Sequence, residues 1–263
     1  MKNQPDIVKN VLYVDMENSL YHSLKDYYSS SDFKNLLTDP LSFYNKFMGN
    51  EPTTAKYQDA MDFGTYVHAL ILEPDKIEGN FVQWDKIRRG KDWEAFKARN
   101  HGKIIISKKD VENARTLSYY IRGNETAQSL LRNGRAEVSL FSELMGLPVK
   151  VRADYIIEEQ DHVKVIDIKT TSDMAIPGFA RSNCQRSNYD VSAALYSSVF
   201  SNFFEKPTEF YFIFVHKNPV HVLTYKCGQE FLDRGAEKLL KSAERIKQMG
   251  KGEVPYDNTI YTL

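Results

Sequence analysis

The sequence predicts an α/β fold: a single domain, 1–263, whose first part, 1–134, is mainly helical and whose remainder, 135–263, is built on strands. Three observations carry this expectation. The early segments place apolar residues at helical spacing between Ser, Pro and Gly punctuation. From Ala136 onward three apolar runs follow one another across short polar or Gly-Pro turns, the pattern of an antiparallel meander. Finally, 263 residues with 42% hydrophobic and 13% aromatic side chains suffice to bury one large core.

Taken in order, helices are expected over Ser31 to Leu37, over Pro40 to Met48, and over Tyr57 to Leu72, which Glu73-Pro74 stops. Proline suits the start of the second because its missing N–H would be unpaired there anyway. Phe81 to Trp84 reads as a short strand, and Ile104 to Ile106 as another. Ser107 has the side chain to cap a helix reaching about Arg122, and Glu125 to Asn133 makes one more short helix, closed by Gly134. The meander comprises Ala136 to Leu144, Leu147 to Ile157 and Val163 to Lys169. A helix from Asn188 to Phe204, strands from Thr208 to Val215 and Val220 to Tyr225, and an amphipathic helix from Gln229 to Met249 follow.

Lysine plus arginine and aspartate plus glutamate both number 35. No global basic excess marks a nucleic-acid binder, so any such surface must come from local segregation of charge. One segment segregates. Between Trp84 and Lys109 nine basic residues, Arg88 and Arg89 among them, stand against three acidic ones, with Trp84, Trp93 and Phe96 interleaved. That composition suits a surface that tracks phosphates and stacks on bases. It equally suits a solvated helix face with its aromatics turned to the core. Only Cys184 and Cys227 are present, with no CxxC pair, so neither a disulfide framework nor a zinc or iron–sulfur site is supported, and a reducing cytoplasm fits. Met1 to Asn10 has no apolar leader, and no apolar run approaches the ~20 residues of a membrane span.

The chemistry concentrates in two adjacent apolar runs. Val151 to Ile157 carries Asp154, and Val163 to Thr171 carries Asp167 and Lys169, with Glu158 to Asp161 as a polar turn between them. A hairpin brings the two aspartates together, and two converging carboxylates can hold a hard divalent cation. Side chains alternate along a strand, so Asp167 and Lys169 point the same way. The ammonium then lies beside the metal and its water, where it can orient or help deprotonate the nucleophile and stabilise charge on a phosphorane. A D-x-K triplet alone is weak, since roughly one is expected by chance in a chain this long. Asp32-Phe33-Lys34 is such a match, in a Ser-rich helix start with no apolar strand around it, and is set aside as a site.

Two further residues have open readings on sequence alone. Glu137 begins the strand before that of Asp154, either as a third carboxylate of the site or as an exposed strand-end glutamate. His68 lies on a helix apolar nearly all round, one turn after Gly64, either as a satisfied core histidine or as a ligand.

G-x-x-x-H on a helix (Gly64, His68), then a strand-initial Glu137, then Asp154 on one strand and Asp167-x-Lys169 on the next resembles the PD-(D/E)xK nucleases of the RecB-like group. It is most similar to the RecE-type exonuclease family, the exodeoxyribonuclease VIII nuclease domain. Tyr21-His22, Leu41 to Tyr44, Gly64 to His68, Leu70 to Pro74, Ala136 to Phe141, Arg152 to Asp154, Asp167 to Thr171 and Tyr189 to Tyr196 carry the likeness. The resemblance implies a restriction-endonuclease-like α/β core, a mixed central sheet flanked by helices behind a helical N-terminal part. It implies metal ligation by His68, Asp154, Asp167 and the Ile168 carbonyl, with Lys169 as catalytic lysine and Glu137 in support. Arg152, Thr170, Tyr196, Arg88 and Arg89 are the DNA-contact candidates. One departure is visible: where the family carries Gln in Q-x-x-x-Y, this chain has Ser192 before Tyr196.

What the resemblance implies for activity is an exonuclease dependent on Mg2+, with Mn2+ able to substitute, that degrades one strand of linear duplex DNA from its 5′ end. The resulting 3′ tails would serve a single-strand annealing protein in recombination, and such enzymes form homo-oligomeric rings. The ligand pattern by itself also fits an endonuclease or single-strand nuclease of the same fold, a metal hydrolase with another substrate, or a non-catalytic DNA-binding module.

Overall fold

A computed structural model describes residues 7–47, 58–172 and 177–252. Met48 and Tyr57, the expected end of one helix and start of the next, lie outside them. The centre is a six-stranded sheet in the order β1 (Leu12–Tyr13), β4 (Arg135–Leu144), β5 (Leu147–Glu158), β6 (Val163–Thr171), β7 (Thr208–Lys217), β8 (Val220–Lys226). The predicted meander forms β4, β5 and β6, each antiparallel to the next. Met145 (φ 54°) and Gly146 (φ 69°) make the two-residue turn between β4 and β5, and two left-handed residues in succession give the twist that joins antiparallel strands tightly. β7 runs parallel to β6, which makes the sheet mixed and demands a long crossover. That crossover is α9 (Pro177–Arg186) and α10 (Tyr189–Phe204).

Helices cover both faces. On one side α10, α11 (Gln229–Gly250) and α2 (Ser30–Thr38) bury Phe33, Leu36, Val191, Leu195, Leu239 and Ile246 against Val149, Val151, Val165 and Phe212. On the other, α4 (Gln58–Leu72), α7 (Lys108–Arg122) and α8 (Glu125–Ser129) bury Val67, Leu117 and Ile121 against Ile166, Ile168, Ile213 and Val215. Asp190, fully buried at the start of α10, accepts from Arg234 Nε at 2.8 Å and Lys238 Nζ at 2.9 Å, tying α10 to α11. Gly235 makes that approach feasible, because a Cβ there would stand 2.0 Å from the Asp190 carbonyl oxygen.

Helix starts follow the side chains expected of them. Ser107 Oγ accepts the Asp110 amide at 3.1 Å at the head of α7. In α2 the Asp32 carboxylate accepts the amide and hydroxyl of Ser29 at 2.8 and 2.6 Å, a reciprocal cap that engages this aspartate at the helix start. The N-terminal part contains the two short strands expected of it and one that the sequence pattern does not predict, β1. It supplies edge strand β1 to the main sheet and a separate parallel pair, β2 (Phe81–Trp84) with β3 (Ile104–Ser107), bridged by α6 (Lys91–Arg99). The expected helix to Asn133 stops at Ser129, where the chain turns through left-handed Asn133 (φ 58°) into β4. Four further short helical pieces, α1 (Asn18–Ser23), α3 (Pro40–Phe47), a 3-10 turn Pro74–Lys76 and α5 (Ile77–Asn80), complete the described chain, and of these only α3 has a sequence counterpart.

Candidate active site

Pairing between β5 and β6 runs from Glu158↔Val163 to Tyr155↔Ile166 and stops. The next opposed residues would be Asp154 and Asp167, so the strands part where their carboxylates stand. On the other flank the β4–β5 ladder skips one step, the one facing Glu137 with Asp154, and Glu137 has left-handed φ 50°. A glutamate in that region costs on the order of 1–3 kcal/mol and persists only where its surroundings hold it there. The core pattern of β5 slips by one residue at the same place: Val149, Val151, Ala153 and Ile156 pack on one side, Tyr155 and Ile157 on the other. The sheet thus opens on both sides of Asp154.

The side chains converge on this opening. Asp154 Oδ2 accepts the Ile168 amide at 2.6 Å and Oδ1 lies 3.5 Å from His68 Nδ1. His68 Nε2 faces the Ile168 carbonyl at 2.9 Å. One donor atom from each of His68, Glu137 and Asp154 lies within 4.8 Å of the other two. Glu137 Oε2 accepts from Arg152 Nε at 2.7 Å, and Arg152 also donates to the Met16 carbonyl at 2.8 Å. Lys169 Nζ donates to Asp167 Oδ1 at 2.8 Å. Its distance to Asp167 Oδ2 is 2.6 Å, yet that oxygen is buried and accepts no hydrogen bond of proper geometry.

Burial and mutual charge move the acids of the site in different directions. Burial, and then the Asp154 charge, push the Glu137 carboxyl up against the opposing pull of Arg152. Burial likewise raises Asp167, with Lys169 opposing and Asp154 adding to the rise. Asp154 goes the other way: burial disfavours its charge, but the His68 imidazolium, Lys169 and the Ile168 amide more than offset it. Burial disfavours a charged His68 too, yet Asp154 holds its pKa up at about 9. Lys169, for which burial is again the opposing cause, is kept well above the usual lysine range by Asp167 and Asp154.

A divalent ion fits this donor set. Carboxylate and carbonyl oxygens with one imidazole are hard-to-borderline ligands, and the orphan Asp167 oxygen and the two raised carboxyls are the groups a cation would satisfy. His68, Glu137, Asp154 and the Ile168 carbonyl would hold it, with the Asp167 carboxylate, ion-paired to Lys169, adjoining. The structure therefore brings Glu137 into the cluster beside His68 and Asp154, while Asp167 stands engaged with Lys169.

The other candidates sort by what they touch. Arg152 is occupied by Glu137, Met16 and the Tyr21 ring, a brace for the site. Thr170 is half-buried near the end of β6, opposite Val215 of β7. Tyr196 is half-buried, and burial followed by the Asp167 charge pushes its hydroxyl up to about 12. Arg88 pairs with Asp59 at 2.6 Å and donates to the Ile105 carbonyl, whereas Arg89 is exposed. Trp84, Trp93 and Phe96 are half-buried and pack on one another, Trp84 and Phe96 at 4.4 Å between centroids, rather than into the described core clusters. Tyr189, named in the sequence only as the start of the stretch to Tyr196 and not as a site residue, stands close to the lysine: Lys169 Nζ lies 5.8 Å from its ring centroid. Its signal was available, since it sits seven residues before Tyr196 on one helix face.

A crystal structure called "Putative exonuclease", from Eubacterium rectale, is similar at a TM-score of 0.65, with 16% identity over 95% of this chain and 96% of that one. Identity that low speaks to the fold alone. A second solved structure, SSO0001, aligns over 72% of this chain and 88% of its own at 16% identity, with a TM-score of 0.28 that carries no argument. No curated protein matches the chain. No helix among the described residues is long and apolar enough to cross a membrane. Residues 29–258 match the model of a PDDEXK-like domain of unknown function (DUF3799), and with most of its length inside that match the chain belongs to this PDDEXK-like family.

Proposed function

We propose that this protein is a Mg2+-dependent exodeoxyribonuclease that resects one strand of linear duplex DNA from its 5′ end and leaves 3′ single-stranded tails. The observation that carries the reading is the convergence of His68, Glu137 and Asp154 donor atoms within 4.8 Å of one another, beside a lysine held against Asp167. Membership of a PDDEXK-like family supports the reaction class. Polarity, the preference for ends and the downstream role rest on the likeness of the motif order to RecE-type exonucleases. Mg2+ suits a site of few carboxylates that leaves room for water and phosphate, and Mn2+ would serve in its place.

When bound, the ion would polarise the scissile phosphate and acidify the attacking water. The remaining work belongs to the chain. Arg152 and the Ile168 amide hold Glu137 and Asp154 in convergent positions before substrate arrives. His68 must shed its proton to present a ring nitrogen to the ion. Lys169, held protonated by Asp167 and Asp154, orients the nucleophile and neutralises charge building on the phosphate instead of taking a proton. The partners in this reading are duplex DNA ends, a single-strand annealing protein that receives the tails, and further copies of the chain in a ring. A basic segment between Trp84 and Lys109 in a chain of zero net charge is compatible with a basic inner wall.

End-labelled linear duplex DNA with Mg2+, wild type beside Lys169→Ala, tests this directly. Label should leave from the 5′ end with wild type and not with the variant, and covalently closed circles should survive. No release from either end by wild type overturns the enzymatic reading; cutting of closed circles overturns the exonuclease reading.

A further inference from the structure

The triplet Asp32-Phe33-Lys34, rejected as a metal motif, divides its residues in the fold. Asp32 caps α2, Phe33 is fully buried in the core, and Lys34 reaches the active site. Lys34 Nζ lies 5.6 Å from the Tyr189 ring centroid, and Lys169 Nζ lies 5.8 Å from the same centroid. Two lysines, one from α2 and one from β6, thus approach a single tyrosine at the head of α10.

They differ in what neutralises them. Lys169 has Asp167, Lys238 has Asp190, and buried Lys150 donates to the Tyr21 and Leu24 carbonyls. The half-buried Lys34 has no acceptor or carboxylate for its Nζ among the described residues. An ammonium partly out of water, near a second ammonium and with no carboxylate in direct contact, is a costly placement. Burial and then the Lys169 charge draw its pKa down to about 8, with Asp167 opposing. An anion beside the two lysines would remove that cost.

We propose that Lys34 is a substrate-binding residue that takes a phosphate oxygen of the strand being cut, so that the scissile region is gripped from α2 as well as from β6. This rests on the nuclease reading above. The ligand it selects is a phosphate oxyanion, whether internal to the strand or at its 5′ end.

The test measures binding of a linear duplex by fluorescence anisotropy across a salt series, with Ca2+ replacing Mg2+ to suppress cleavage, for wild type, Lys34→Gln and Lys34→Arg. Lys34→Gln should bind roughly 5-fold more weakly at moderate salt and lower the slope of log K against log salt by about 1, the mark of one lost phosphate contact. Lys34→Arg should restore the slope. The melting temperature of Lys34→Gln should not fall, because the change removes an uncompensated charge. Duplexes with 5′-phosphate and 5′-hydroxyl ends separate the two phosphate sources: a deficit confined to the phosphorylated end places the contact there, and an equal deficit places it within the strand. Wild-type affinity and slope in Lys34→Gln overturn the proposal, as does equal weakening by Gln and Arg with a lowered melting temperature. Wild type that cleaves DNA while Lys34→Gln binds normally leaves the nuclease reading standing and sinks this one alone; wild type that neither binds nor cleaves DNA sinks both.

Discussion

Asp154 Oδ2 accepts the backbone amide of Ile168 at 2.6 Å, across the point where the β5 and β6 strands stop pairing. The carbonyl of the same residue faces His68 Nε2 at 2.9 Å, so both polar groups of Ile168 serve the site. One residue of β6 thereby fixes a carboxylate from β5 and an imidazole from α4. The separation of three elements in sequence is overcome by a single residue's backbone donor and acceptor.

Asp154→Asn tests that arrangement. The amide side chain is the same size and keeps an oxygen for Ile168, but it loses the charge that faces both His68 and the metal. Cleavage should fall by about 100-fold or more, with little change in secondary structure by circular dichroism. Activity within tenfold of wild type would show that Asp154 is a structural brace only.

The pH dependence has a definite sign. His68 is held at about 9 in the folded chain, above the ~6.5 of an unfolded histidine, so its pairing with Asp154 contributes stability that is fully present below about 6.5. That contribution is lost as pH rises toward about 9. The metal-free protein should therefore lose melting temperature over this window, and His68→Gln should lose less. Metal binding reverses the interest of the proton: at pH 7.5 the ion must displace it, so titration calorimetry in two buffers of different ionisation enthalpy should show proton release. Buffer-independent enthalpies would contradict the His68 assignment.

Arg152 separates a brace from a DNA contact. Its guanidinium is mostly buried and pairs with Glu137 at 2.7 Å, so Arg152→Ala leaves that carboxylate uncompensated beside Asp154. Stability should drop by about 3 kcal/mol and metal affinity by about 10-fold, with activity partly recovered at high Mg2+. The salt slope of DNA binding should stay at the wild-type value. A lowered slope would make Arg152 a phosphate contact after all.

What the sequence disclosed and what it withheld have separate physical causes. The strands of the meander, the β7 and β8 pair and the long helices were legible because period-2 and period-3.6 patterns are local. Asp167 and Lys169 shared a face for the same reason. The slip at Asp154 was not legible: it depends on Glu137 entering left-handed φ and on two ladders opening at one residue, which no local pattern records. The ligand reading of His68 overtook its core-histidine reading only through the order of motifs, since an apolar helix gives it no distinguishing surroundings in sequence. The decoy triplet failed as a unit because its Asp caps a helix, while its Lys reaches the site through tertiary packing of α2 against α10. The helix within the basic segment, α6, was hidden by charges that carry no strong amphipathic pattern.

Gly235 carries a final expectation about how rigidly α10 must sit. A Cβ at this position would stand 2.0 Å from the Asp190 carbonyl oxygen and 2.9 Å from Ala194 Cβ, and both neighbours belong to a helix pinned between sheet and α11. Gly235→Ala can be accommodated only by moving α11 outward, which strains the bonds from Arg234 and Lys238 to the buried Asp190 carboxylate. The expected loss is about 2 kcal/mol, or ~5 °C in melting temperature, against the small gain alanine would give an unconstrained helix. Leu240→Ala, on the same helix at a position 52% exposed, should change stability by less than about 0.5 kcal/mol. Because α10 also presents Tyr189 to Lys169, the Gly235→Ala protein should lose activity below its melting temperature as well, and a variant as stable and active as wild type would show that α11 has room the close approach denies it.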